Sequence, residues 1–252
     1  MPATLERPAG LLPPEVEAEY LLELARRKQA RANPCASSFR TFLSHLWTVD
    51  EARAGEVRPW PVGGGWDPLW RDWETALLCC SPLLVDKTRR VMASNVVCAW
   101  DLWIMLGGAD PRWPALMLSS SHRRVLVQSR KLEGPGGSAE FVGRAATMLR
   151  ISEEQGLRKA WPGLPRWSVK FGVIECDHGG RIDAVPQGAE QVRGPGTTLV
   201  HAEEIAFWTE AQSSMETAIP ALHPYGHVCA VTTPQAATYA SRIRRGEIGG
   251  DR

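Results

Sequence analysis

The stretch Thr-Leu-Val-His-Ala-Glu-Glu at residues 198–204 decides the fold prediction. It is a short β-prone apolar run that ends in two adjacent carboxylates, Glu203 and Glu204. In ATP-driven motors such a strand carries an acid pair at its C-terminal end. One acid holds Mg²⁺ through its waters, and the other polarises the attacking water. Acids also favour the start of a helix because of the helix dipole, so the pair indicates hydrolysis only together with other motifs.

The composition is that of a globular protein. The chain has 252 residues, of which 44% are hydrophobic and 23% charged, and its formal net charge is +1. With no global basic field, any nucleic-acid contact must come from local patches.

No apolar run approaches the ~20 residues that span a bilayer, so we expect no membrane partner. The six cysteines show no C-x-x-C spacing, which predicts free thiols. One further group of metal-ligating side chains matches no zinc spacing: Cys176, Asp177, His178 and His201.

The chain divides near residue 65. Residues 1–65 are predicted to form an N-terminal helical or lid segment, with helices over 14–31 and 37–46 and a loop from residue 55 to 68. From residue 66 to 252, strands alternate with helices, which predicts an α/β domain with a mostly parallel sheet and helices on both faces. Predicted strands cover 79–85, 124–128, 198–202 and 227–232. Predicted helices cover 70–78, 94–106, 139–149 and 210–218. Residues 168–174 and 181–185 are predicted to pair as a hairpin around a turn at 177–180.

A basic loop follows the first of these strands. Lys87, Arg89 and Arg90 precede Ser94, where the next helix begins. A strand, a basic loop, a hydroxyl and a helix N-terminus together form the architecture of a phosphate-binding site. The usual G-x-x-x-x-G-K-[ST] is absent: aligning Ser94 with its hydroxyl position puts Ala93 where the lysine should be. A solvated basic loop with Ser94 as a helix N-cap is the alternative interpretation.

In this order, the motifs resemble the large terminase subunit of tailed bacteriophages, the ATPase motor that packages DNA. The resemblance covers roughly residues 66–245 and implies a P-loop NTPase fold of the ASCE/RecA-like type. Lys87–Ser94 fits the family's phosphate loop, K-x-R-[QR]-x-x-x-[ST]. Three further elements match in order besides the acid pair: Val125–Lys131, Gln191–Gly194 and Val231–Pro234.

The resemblance also implies a role for each motif residue, with ATP and Mg²⁺ as cofactors. Glu204 would orient the attacking water, although Glu203 and Glu204 could exchange roles. Ser94 and Glu203 would hold Mg²⁺. The catalytic arginines would be Arg89 and Arg193, of which Arg193 could instead only fix its loop. Thr232 and Thr233 would couple hydrolysis to movement, or else be ordinary strand residues. The nucleotide would be bound by Lys87, Thr88, Arg89, Arg90, Ala93, Ser94 and Asn95.

The chain departs from the family in three ways, one of which is an unusual stretch at Pro114–His122 ahead of the second strand. Glu203 replaces the commoner aspartate and adds one methylene, so the Mg²⁺ geometry is expected to relax. An RNase H-like nuclease domain would normally follow, and we expect it to be absent, with no nuclease activity from this chain. The implied partners are double-stranded DNA, a portal protein, the small terminase subunit and further copies of the chain in a ring. The implied location is the host cytoplasm, with transient docking on the procapsid portal.

Two other functions remain open at the level of sequence. One is a helicase-like ATPase that takes no part in packaging, although a helicase would need a second RecA-like domain. The other is a degenerate nucleotide-binding scaffold without turnover, which the missing loop glycines favour. Lys87, Ser94 and the acid pair oppose the scaffold.

Arg193 generates a prediction about neighbouring subunits. If Arg193 completes a neighbour's site, Arg193→Ala and Glu204→Gln subunits should each be inactive, and mixing them should restore some ATP turnover. The arginine of related motors is worth ~10³–10⁵ in rate, so the restored signal should be measurable. Turnover that is unchanged in Arg193→Ala would instead make Arg193 a structural residue.

Overall fold

The computed structural model describes residues 33–50, 55–61, 73, 75, 82–87, 93–110, 123–192 and 196–247. The predicted helix over 14–31, most of the predicted helix over 70–78 and phosphate-loop residues 88–92 lie outside these ranges, as does Arg193. The helices are α1 Pro34–Ser37, α2 Phe39–Ser44, α3 Ala93–Met105, α4 Ser138–Glu154, α5 Leu157–Ala160, α6 Ala211–Ala218 and α7 Tyr239–Arg244. The strands are β1 Trp47–Asp50, β2 Glu56–Pro59, β3 Leu83–Asp86, β4 Arg124–Ser129, β5 Trp167–Lys170, β6 Val173–Cys176, β7 Arg181–Pro186, β8 Thr197–Glu203 and β9 Leu222–Thr232.

A seven-stranded sheet forms the centre of the fold. Its strand order is β3-β9-β8-β4-β7-β6-β5. The first five strands run parallel, and β6 and β5 add an antiparallel edge. All seven residues of β8 are buried, as expected for a central strand covered on both faces. The predicted mostly parallel sheet is confirmed.

Helices cover both faces of this sheet. On one face, α3 and α4 pack against the side chains of Val125, Val127 and Leu199. On the other face, α6 and α7 pack with Leu126 and Val200. Alternation along β4 and β8 sends successive side chains to these two cores. Within the described residues, no helix is both long and apolar enough to cross a bilayer.

Among the described helices, α3 is the most deeply buried. Twelve of its thirteen residues are buried. Its outer side contacts an aromatic cluster in which Phe39 meets the Trp100 ring edge-on at 4.5 Å between centroids. Trp73 stacks on Trp100 from another direction, at 6.2 Å. This packing fixes the helix that follows the phosphate loop rigidly against the sheet.

Three predicted elements were placed wrongly. Residues 168–174 are two strands, β5 and β6, because Gly172 takes a φ of +67° and turns the chain after Phe171. The turn at 177–180 therefore joins β6 to β7. The predicted loop at 55–68 contains β2, which pairs with β1. The last strand, β9, begins five residues earlier than predicted because its apolar pattern is broken by polar residues and a proline.

A tight approach at Gly180 generates a stability prediction. A Cβ at Gly180 would lie 2.2 Å from the carbonyl oxygen of Met105 at the end of α3. Gly180→Ala should therefore lower the free energy of unfolding by about 1–3 kcal/mol, as measured by urea denaturation. The matched control is Gly143→Ala, since Gly143 lies within α4 and its added Cβ would meet nothing within 4 Å. That substitution should stabilise the chain by about 0.5–1 kcal/mol. Equal effects of the two substitutions would contradict the described packing.

Candidate active site

The carboxyl ends of three adjacent parallel strands bring the predicted motifs together. β3 ends at Asp86, β9 at Thr232 and β8 at Glu203. The backbone pairing continues past these ends: the Lys87 amide donates to the Thr232 carbonyl at 2.9 Å. The Glu204 amide donates to the carbonyl of the residue before Thr232, at 2.6 Å. Ligand sites of open parallel sheets form at this edge.

Lys87, Ser94 and the acid pair form one cluster at this edge. Lys87 Nζ lies 2.9 Å from Glu204 Oε1 and 3.5 Å from Glu203 Oε1. Ser94, in the first turn of α3, donates its hydroxyl to Glu203 Oε1 at 2.6 Å. The Glu203 side chain is only 1% exposed, whereas that of Glu204 is 30% exposed. The two acids therefore have different environments, one enclosed and one open to an incoming ligand.

Glu204 is held in an unusual backbone conformation. Its φ of 56° and ψ of 42° lie in the left-handed region, which costs a non-glycine residue roughly 1–2 kcal/mol. The side chain is fixed by Thr233, whose amide donates to Glu204 Oε2 at 3.0 Å and whose hydroxyl lies 3.4 Å from Oε1. Strained residues of this kind concentrate at functional sites.

Thr232 makes different contacts from Thr233. Its hydroxyl accepts from the Ala206 amide at 3.1 Å and donates to the Thr233 carbonyl at 3.2 Å. Its side chain is fully buried. Thr232 thus ties the turn after β8 to the end of β9, while Thr233 contacts the acid.

The sequence did not predict that His201 and Asp101 would lie behind Glu203. His201 lies two positions before Glu203 on β8, so strand alternation puts both side chains on one face. His201 Nε2 lies 3.0 Å from Glu203 Oε2, and His201 Nδ1 lies 2.7 Å from Asp101 Oδ2 on α3. Burial alone lowers the pKa of His201, but the carboxylates of Asp101 and Glu203 outweigh it and raise that pKa to about 9. The alternation of β8 was the available signal for His201; no local signal pointed to Asp101.

The oxygen donors of the cluster suit a hard divalent cation. Ser94 supplies a hydroxyl, and Glu203 and Glu204 supply carboxylates, which are the ligand types that Mg²⁺ prefers.

A second group with potential ligand atoms within 4.8 Å of one another consists of Cys98, Asp101 and His201. There both ring nitrogens of His201 already face carboxylates, and burial raises the pKa of the Cys98 thiol, which disfavours the thiolate that binds metals. Cys176, Asp177 and His178 do not join His201 in any such group among the described residues.

The remaining predicted site residues divide into two sets. Ala93 and Asn95 flank Ser94 at the start of α3, with Ala93 buried and Asn95 half-buried. The others lie outside the described residues: Thr88, Arg89, Arg90 and Arg193.

Three arginines of the segment 242–245 pair with carboxylates. Arg244 on α7 pairs with Asp86 at the end of β3, with Nε 2.5 Å from Oδ2. Arg242 and Arg245 both pair with Glu247. The Arg244 pair connects α7 to the residue before Lys87.

Comparison with known proteins identifies the fold. No family model and no curated protein matches the sequence. Among solved structures, the large terminase of bacteriophage HK97 superposes with a TM-score of 0.56 at 12% identity, over 85% of this chain. The chain has the fold of part of a phage large terminase. It spans 42% of the HK97 chain. The large terminase ATPase domain of Thermus phage P74-26 also matches, with a TM-score of 0.43 at 9% identity, over 64% of this chain and 62% of that one. The resemblance seen in the sequence is thus confirmed at the level of fold.

The position of Lys87 between the two acids generates a stability prediction. Removing its charge with Lys87→Met leaves two neighbouring carboxylates without their shared cation, one of them buried. The free energy of unfolding without nucleotide at pH 7 should fall by about 1–3 kcal/mol, the usual range for hydrogen bonds to charged groups. Lys159→Met, at an exposed lysine of α5, is the control and should change it by less than about 0.5 kcal/mol. Equal stability of Lys87→Met and wild type would contradict the described cluster.

Proposed function

We propose that this chain is the ATP-hydrolysing motor domain of a phage large terminase, and that its turnover drives double-stranded DNA into a procapsid. One observation carries the proposal: Lys87, Ser94, Glu203 and Glu204 meet at the carboxyl edge of a terminase-type sheet. Because the fold alone is compatible with many activities, the function is argued from these four side chains.

The nucleotide site would be built around the start of α3. Lys87 would contact the β- and γ-phosphates, with Thr88, Arg89, Arg90 and backbone amides of the loop around them. Ser94 and Glu203 would hold Mg²⁺, with Ala93 and Asn95 beside them. When bound, Mg²⁺ neutralises charge that develops on the phosphoryl oxygens.

Lys87 would also link nucleotide binding to the ion pairing of the Glu204 carboxylate. In the structure its ammonium is paired with Glu204 Oε1 at 2.9 Å, which holds that carboxylate in an ion pair. A triphosphate carries more negative charge than one carboxylate and would draw Lys87 Nζ towards itself. Glu204 would then be free to accept a proton from, and orient, the attacking water. Hydrolysis would thereby depend on a filled site.

The contacts of Glu204 supply a route from the phosphates to the rest of the domain. Thr233 donates twice to its carboxylate, and Thr232 joins the turn after β8 to β9. A change in the position of Glu204 would therefore move the end of β9. Arg244 adds a second connection, from Asp86 beside the phosphate loop to α7. We assign the coupling of hydrolysis to movement to these contacts.

The partners of the motor follow from the same proposal. The chain would act as a ring of identical copies docked on a portal protein in the host cytoplasm, with the small terminase subunit delivering DNA. Arg89 would act within its own subunit, and Arg193 on a neighbour's γ-phosphate. DNA cleavage is assigned to no residue of this chain.

Replacing Glu204 tests the hydrolytic role. Glu204→Gln retains the shape of the side chain but removes the base, so ATP turnover should fall by about 10²–10⁴ while nucleotide binding persists. Turnover is measured by phosphate release and binding by fluorescence of a labelled ATP. Glu154→Gln, at the exposed end of α4, is the control and should match wild type.

Two results would count against the proposal. Near-wild-type turnover in Glu204→Gln would remove Glu204 from the reaction. Wild-type chain that binds ATP but never hydrolyses it, alone, at high concentration or with DNA, would favour the nucleotide-binding scaffold.

A further inference from the structure

We propose that His201 and Asp101 are positioning residues that fix the carboxylate of Glu203 for Mg²⁺. This role rests on the proposed function, because Glu203 must be the metal-side acid for its orientation to matter. The two residues form a buried chain of contacts that runs from α3 through β8 to the site.

Both oxygens of Glu203 are engaged, each from a different direction. Oε1 accepts from the Ser94 hydroxyl at 2.6 Å and lies 3.5 Å from Lys87 Nζ. Oε2 lies 3.0 Å from His201 Nε2. A histidine nitrogen at Oε2 holds that oxygen inside the domain and leaves Oε1 facing the hydroxyl and the ammonium. The direction of the metal-side oxygen is therefore set by the contact at the opposite oxygen.

Helix α3 carries both Ser94 and Asp101, the residues at the two ends of this chain of contacts. Ser94 and Asp101 are seven residues apart, about two helical turns, so their side chains leave the same face of α3. Ser94 reaches Glu203 directly, and Asp101 reaches it through His201 at 2.7 Å. The register of α3 on β8 thus decides the orientation of Glu203.

A glutamate needs such support more than an aspartate does. It has one more rotatable bond between backbone and carboxylate, and an undirected side chain would spend less time in the orientation that binds metal. Partners behind a metal ligand commonly hold it in this way, and removing them typically costs 10–100-fold in metal affinity or activity.

The burial of the chain argues against a role in stability alone. His201, Glu203 and Asp101 are fully buried, and Asp101 Oδ1 has no hydrogen-bond partner among the described residues. Buried ionisable groups are costly, and well-packed apolar residues of similar volume are often at least as stable. A costly group at this point fits a residue retained for the site it supports.

The test measures how strongly Mg²⁺ tightens the binding of a fluorescent, non-hydrolysable ATP analogue. His201→Phe keeps a ring of similar size but cannot contact Glu203 or Asp101 through a nitrogen. It should raise the Mg²⁺ concentration required for half-maximal tightening by about 10–100-fold. Affinity for the analogue in EDTA should stay at the wild-type value, because Lys87 and the loop are intact.

Two variants of Asp101 separate positioning from folding. Asp101→Leu removes the partner of His201 Nδ1 and should weaken Mg²⁺ dependence in the same direction as His201→Phe. Asp101→Asn keeps a hydrogen-bonding partner for Nδ1, so His201 can still donate from Nε2 to Glu203, and most of the Mg²⁺ response should return. Cys98→Ser, at a buried neighbour on α3, is the control and should leave the Mg²⁺ response unchanged.

Each contrary result has a distinct meaning. Binding that weakens equally with and without Mg²⁺ in His201→Phe, or no rescue by Asp101→Asn, would make the chain merely structural and overturn the positioning role. Loss of the Mg²⁺ response in Cys98→Ser would also overturn it, since Cys98, Asp101 and His201 would then act as a separate metal site. A wild-type chain that binds no nucleotide would overturn the proposed function together with this inference. Normal nucleotide binding with an unchanged Mg²⁺ response in His201→Phe would overturn this inference alone.

Discussion

The site depends on the contacts that stabilise the buried carboxylate of Glu203. An ionised acid in a protein interior is stable only when charged or hydrogen-bonding partners compensate its lost hydration. Ser94, Lys87 and His201 supply that compensation from α3, from the end of β3 and from β8 itself. These elements must be packed closely for the contacts to form, which explains why α3 is almost entirely apolar and buried. The geometry of the site therefore requires the close packing of the domain.

Glu204 follows Glu203 directly but lies in a different environment. A left-handed backbone directs its side chain to the open edge, where Lys87 and Thr233 hold it. Of the two acids, the enclosed one suits a fixed metal site and the accessible one suits contact with water. Lys87 follows β3 and Thr233 follows β9, the strand that lies between β3 and β8, so a change at bound phosphates would reach β9 through short contacts. We infer that the sheet edge would transmit the state of a bound nucleotide.

The features that could be predicted from the sequence are those that depend on local residue patterns and on the order of the motifs along the chain. Predicted parallel strands that end at or just before Lys87, Glu203 and Thr232 implied that their carboxyl ends meet, and the structure brings these residues together. Periodicity could not show that Gly172 turns the chain inside an apparently continuous strand, since the alternation persists through the turn. Asp101 was not predictable either: it lies in an apolar helix, and only the three-dimensional register of α3 on β8 brings it to His201, one hundred residues away. Long-range pairing of this kind leaves no signal at either position in a single sequence.

The most direct measurement is an experimental structure of the chain with Mg²⁺ and a non-hydrolysable ATP analogue. The proposed site predicts the triphosphate at the carboxyl edge of β3 and β8, with Lys87 Nζ moved from Glu204 to the phosphates and Mg²⁺ beside Ser94 and Glu203. Nucleotide bound elsewhere on the domain, or a triphosphate at this edge with the Lys87–Glu204 pair intact and no metal near Glu203, would contradict it.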